Sequence, residues 1–183
     1  GVSYSLSADS LSLALVALVG WSLFAFGGAY WWTTPPIMAG AALLTFAVKP
    51  RVGARPHRAV DAGLIACLAL TALQLVPLPF AVRAVVSPAA STTDQLLLVG
   101  SAADTSFRPL SLDPGATACA LAMGLALVLV FWSARQVLER GGLRLVGRGV
   151  CLSGLALTAI ALVQRVETPH LIYGFWAPIT RTS

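Results

Sequence analysis

Residues Pro114–Ser133 read PGATACALAMGLALVLVFWS, a stretch without Asp, Glu, Lys or Arg that follows Asp113 and closes before Arg135. A helix rises about 1.5 Å per residue, so roughly 20 such residues cross a 30 Å hydrocarbon layer. Three more stretches are equally free of charge: Ser10–Val48, Ala62–Val82 and Gly149–Gln164. The first is too long for one helix. Gly27-Gly28, Tyr30-Trp31-Trp32 and Pro35-Pro36 divide it by a turn at an aromatic-rich interface. The pattern predicts an all-α polytopic membrane bundle of about five transmembrane helices, with spans near residues 10–26, 35–48, 62–78, 114–133 and 143–164. Arg144 and Arg148 snorkel from the first turns of the last span.

Composition points the same way. Hydrophobic residues make up 57% of the 183 and charged residues 10%, where a soluble domain carries about 25% charged. Disorder is excluded for the opposite reason, since disordered chains are poor in apolar residues. Residues 1–183 read as a single transmembrane region. Gly1 at the start and Thr182-Ser183 just after an aromatic segment predict that it is the N-terminal portion of a longer protein. The stretch 10–26 lacks the basic leader and small-residue cleavage site of a signal peptide.

Orientation follows from the cations. Lys49, Arg51, Arg55 and Arg58 fill one connection, and Arg135, Arg140, Arg144 and Arg148 another. Short loops rich in Lys and Arg stay on the cytoplasmic side. This predicts a multi-pass membrane protein, with loops 49–58 and 135–148 on the cytoplasmic side and loop 79–113 and the C-terminal tail outside. The net charge of +5 then falls wholly on the inner side. Neither basic loop has interleaved aromatic residues, so membrane lipids, not nucleic acid, are the expected partners.

Within the outer loop, Phe80–Val86 has an apolar face and one cation, the pattern of a short interfacial helix. Thr92 with Gln95 resembles a capping box. Asp113 followed by Pro114 is the signature of a helix start. Cys67, Cys119 and Cys151 sit singly in three predicted spans and read as small packing residues. With no CxxC or HxxxH, neither a metal nor another cofactor is expected. Gln74 reads as an interhelical hydrogen-bonding group, and Asp9 and Asp61 as water-accessible span ends. His57 lies between Arg55 and Arg58 as a solvated loop residue. The substrate-binding candidates are Arg165, His170, Tyr173 and Arg181. His170 and Tyr173 stand in an aromatic segment, Pro169–Trp176, where His170 is either a bystander of an interfacial belt or a base. Arg165 and Arg181 flank it as phosphate-binding forks.

Short motifs extend the reading. FGGAYW at 26–31, LQLVPLP at 73–79, PLSLDPGAT at 109–117 and IYG at 172–174 stand in an order and spacing that resemble the N-terminal part of the O-antigen ligase and polymerase superfamily of bacterial envelope glycosyltransferases. The likeness covers about Phe26 to Trp176. It implies a lipopolysaccharide or polysaccharide enzyme of the bacterial inner membrane that transfers glycan from undecaprenyl diphosphate to lipid A-core or a growing chain. It also implies that the catalytic residues lie beyond Ser183, leaving this piece inactive alone. The residues themselves leave open a non-catalytic membrane subunit and a transporter segment.

Overall fold

A computed structural model of the chain describes residues 7–25, 32–89, 92 and 107–167. They form helices α1 (Ala8–Phe24), α2 (Thr34–Val48), α3 (Arg58–Leu73), α4 (Phe80–Val86), α5 (Pro114–Val137) and α6 (Leu143–Glu167). A 3-10 turn at Arg55–His57 precedes α3, and a π turn at Leu138–Gly142 joins α5 to α6. Strands β1 (Pro77–Leu78) and β2 (Arg108–Pro109) form one short antiparallel pair. The chain divides into two compact units. Unit 1 comprises Gly1–Pro50 and Val130–Ser183, and unit 2 comprises Arg51–Leu129.

In unit 1, α1 starts at Ser7, whose hydroxyl accepts from the Ser10 amide at 3.2 Å. This satisfies one of the N–H groups left open at a helix start. Helix α1 packs against α2 and α6. Leu11, Leu15, Leu44, Val48 and Val137 form the core, with Leu18, Val19, Val130, Ala134 and Val146 packed around it. Thr45 Oγ1 and Ser133 Oγ lie 3.1 Å apart inside this unit, and the Thr45 hydroxyl also reaches the Ala41 carbonyl at 2.7 Å. The α5–α6 run bends where Gly141 takes φ +96°, a conformation open to glycine and strained for other residues.

Helices α1 and α6 approach closely because Gly149 has no side chain. A Cβ there would come within 2.5 Å of Val16 Cγ1. The contact surface is a narrow stripe. Leu43 and Phe46 of α2 stay 70% and 79% exposed, and Leu152, Leu155 and Leu162 of α6 are also open.

In unit 2, Asp61 lies in the first turn of α3 and is buried at 1% exposure. Its Oδ2 accepts from the Gly53 amide at 2.7 Å, which closes the loop before the helix. The expectation of a water-accessible Asp61 is thereby corrected. The carboxylate turns inward to satisfy backbone that would otherwise be unpaired. Gln74 ends α3 and is exposed; its backbone carbonyl, not its amide side chain, makes the tertiary bond, accepting from the Ser111 amide at 3.0 Å. All three cysteines are exposed, so the packing role assigned to Cys67, Cys119 and Cys151 is also corrected.

The five-span all-α bundle is not found. Among the described residues, one helical run, Pro114–Arg165, is long and apolar enough to cross a membrane. The physical reason is length. Helices α1, α2 and α3 have 17, 15 and 16 residues, which reach about 25, 22 and 24 Å, short of a 30 Å layer. A short strand pair, Pro77–Leu78 with Arg108–Pro109, is also present that the all-α reading lacked. The multi-pass inner-membrane localisation required five spans and falls with them. So do the inside placement of 49–58 and 135–148, the outside placement of 79–113 and the tail, and the lipid partnership inferred from them. The turn at Gly27-Gly28 and Tyr30-Trp31 and the Gln95 half of the capping box lie outside the described residues. Thr92 itself donates its hydroxyl to the Pro88 carbonyl at 3.0 Å.

Candidate functional site

The ends of the 79–113 segment meet in unit 2. Pro77 pairs with Pro109 and Leu78 with Arg108, a register of two residues on each strand. Proline has no N–H to give a ladder, so such strands stay short and at an edge. Immediately after β1, Pro79 precedes α4, and its carbonyl accepts from the amides of Val82 and Arg83 at 3.0 and 3.1 Å. That fixes Arg83 one turn into α4. After β2, the Ser111–Gln74 backbone bond holds the chain beside the end of α3. Asp113 then starts α5, its Oδ1 accepting from the Ala116 amide at 2.9 Å and its carbonyl from Thr117 at 3.0 Å. Ser111 Oγ and Thr117 Oγ1 lie 2.6 Å apart across the same turn.

These constraints produce an open cleft of about 270 Å³ lined by Arg83, Arg108, Pro109, Ser111, Leu112 and Pro114. Arg83 is 3% exposed, although it carries a full positive charge. Arg108 is half-buried, and Leu112 is open at the rim. Guanidinium groups are planar, permanently charged and weakly hydrated, so they tolerate partial burial and match carboxylate or phosphate in a bidentate fork. Two such groups line this cavity. Asp113 sits between the lining residues Leu112 and Pro114 and is exposed.

Of the residues expected to bind substrate, Arg165 alone lies among the described residues. Arg165 is exposed in the last turn of α6, in unit 1. His170, Tyr173 and Arg181 lie outside the described residues. His57 is half-buried in the turn ahead of α3. Among the described residues, no group of three His, Cys, Asp or Glu side chains is placed to hold a metal ion. Sequence reasoning noted the single cation of Phe80–Val86, which is Arg83, and did not single out Arg108. The usable signal was the pair of Pro-Leu dipeptides, 77–78 and 109–110, which bring the two arginines to the same turn region.

No protein-family profile, curated protein or solved structure matches this chain. The resemblance to the O-antigen ligase and polymerase superfamily is therefore corrected: it rested on motifs of three to nine residues, and no match over the chain supports it. With the resemblance go the envelope glycosyltransferase function, the undecaprenyl-diphosphate-linked glycan donor and its lipid or glycan acceptor. The membrane-subunit and transporter readings depended on the same multi-pass arrangement and are withdrawn with it.

Proposed function

We propose that the chain is a ligand-binding protein and that the cleft of unit 2 holds the anionic group of a small molecule. One observation carries this reading: Arg83, almost wholly buried, and Arg108 form the wall of the same open cavity. Guanidinium groups are weakly hydrated and match the oxygens of carboxylate and phosphate, so two of them lining one cavity favour an anionic ligand. Its volume lies just under the range of about 300–1,000 Å³ for small-molecule sites, which suits one charged group and a small body.

The test is thermal unfolding of the purified chain in non-ionic detergent, titrated with acetate, benzoate and inorganic phosphate at constant ionic strength. A ligand that binds the native state stabilises it by about 2.7 kcal/mol at a hundred times its Kd. At least one of these anions should raise Tm saturably in the wild type and fail to do so in Arg108→Gln. Equal responses in the two proteins, or a shift that tracks ionic strength alone, would overturn the proposal.

A further inference from the structure

Unit 1 presents a face that its own helices leave uncovered. We propose that this face pairs with a second copy of the chain, joining α1 of one protomer to α6 of the other in a twofold dimer.

Helices α1 and α6 run parallel: Gly142 faces Ser12, Gly149 faces Val16 and Gly20 faces Ser153. At 3.6 residues per turn, Asp9, Leu13, Ala17 and Phe24 fall within a quarter of the circumference of α1. All four are exposed, Leu13 at 57%. On α6 the same spacing gathers Arg144, Arg148, Leu152, Leu155 and Leu162 into one exposed stripe, with its leucines 61–67% open. Intervals of three, four and seven residues are those by which neighbouring helices interlock their side chains. The two stripes lie on opposite rotational sides of the α1–α6 contact. For parallel helices, that is one and the same face of the pair.

Geometry and charge select the occupant. A twofold axis along the helices turns this face onto its copy and sets α1 beside α6 of the other protomer, again parallel. Such an axis leaves heights along the helices unchanged. Ser12 stands level with Gly142, so Asp9 stands within about one turn of Arg144. The apolar stripes then meet, and the anionic start of α1 meets the cationic start of α6, twice by symmetry. A lipid surface covers leucines equally well but sets no register between Asp9 and Arg144.

Size agrees. Helix α1 has 17 residues and is about 25 Å long, and two helices side by side are about 20 Å across. That footprint of about 500 Å² on each copy gives about 1,000 Å² in the pair, which a specific interface must clear.

Sedimentation equilibrium of the intact chain in density-matched non-ionic detergent reads the association. The wild type should form a concentration-dependent dimer. Asp9→Lys and Arg144→Glu should each weaken it about tenfold, and the two together should restore most of the loss. Leu152→Glu should abolish the dimer while circular dichroism shows the helices intact, since this side chain is exposed in the protomer. Cross-linking tests the position. In chains with the exposed Cys67, Cys119 and Cys151 replaced by serine, Ala17→Cys mixed with Leu152→Cys should form an oxidised heterodimer. Leu43→Cys on α2, mixed with Leu152→Cys, should form far less. A monomer at every concentration, charge variants that the double exchange does not restore, or equal cross-linking in the two mixtures would overturn the proposal. Association that follows the detergent-to-protein ratio and ignores Leu152→Glu would also overturn it, and would mark a face covered by lipid.

Discussion

Arg140 Nη2 donates to the backbone carbonyl of Val48 at 3.1 Å, so a side chain from the π turn caps the C-terminal end of α2. The last carbonyls of a helix have no partner within it, and a cation there also opposes the negative end of the helix dipole. Arg140→Ala should cost about 0.5–1.5 kcal/mol, read as a lower denaturation midpoint with unchanged slope. Arg140→Lys should recover part of the loss, because the charge remains and the fork does not. A variant as stable as wild type would show that water replaces the bond at no cost.

Two glycines of α6 test the closeness of its packing on α1. At Gly149 an added Cβ meets Val16 at 2.5, 2.6 and 3.1 Å, whereas at Gly147 nothing lies within 4 Å. Gly149→Ala should destabilise by about 1–3 kcal/mol, the range for overpacking. Gly147→Ala should stabilise by about 0.5–1 kcal/mol, since alanine loses less backbone entropy in a helix. Thermal unfolding of the pair should move in opposite directions.

Asp113 starts α5 through its bond to Ala116. Asp113→Ala should cost about 0.5–2 kcal/mol, with Asp113→Asn close to wild type. Amide exchange at Ala116 should quicken in the alanine variant and not in the asparagine variant. Equal exchange in all three would remove the cap from the account.

Asp61 is buried and accepts from Gly53, whose φ is +75°. Asp61→Ala removes the acceptor for that amide and should cost about 1–3 kcal/mol. Asp61→Asn keeps an oxygen and should cost less. Gly53→Ala tests the same loop through its backbone. Nothing lies within 4 Å of the added Cβ, so its cost, about 1–2 kcal/mol, comes from the positive φ alone. Chemical denaturation of the three variants should give the order Asp61→Ala below Asp61→Asn, with Gly53→Ala below wild type.

The start of α5 was legible in the sequence because it is local: Asp113 and Pro114 carry the whole instruction within a few residues. Phe80–Val86 was likewise legible as a short helix. Burial was not. Apolar residues surround α1 and α2, so no polar stripe indicates that Leu15 turns inward while Leu43 turns out. Span counting failed because the stretches taken as spans near 10–26, 35–48 and 62–78 carry helices of 17, 15 and 16 residues, short of the roughly 20 that cross a bilayer. The cleft was hidden for another reason. Arg83 and Arg108 are far apart in sequence, and a two-residue pairing with prolines leaves none of the alternation by which strands are recognised.

The Pro77–Pro109 and Leu78–Arg108 pairing also frees what it encloses. Once the ends of residues 79–107 are fastened, doubling the number of residues in such an excursion adds only about 0.6 kcal/mol of closure entropy. Insertions well beyond α4 would thus be tolerated while the arginine pair keeps its geometry. Changes of length there would leave the lining of the proposed site in place.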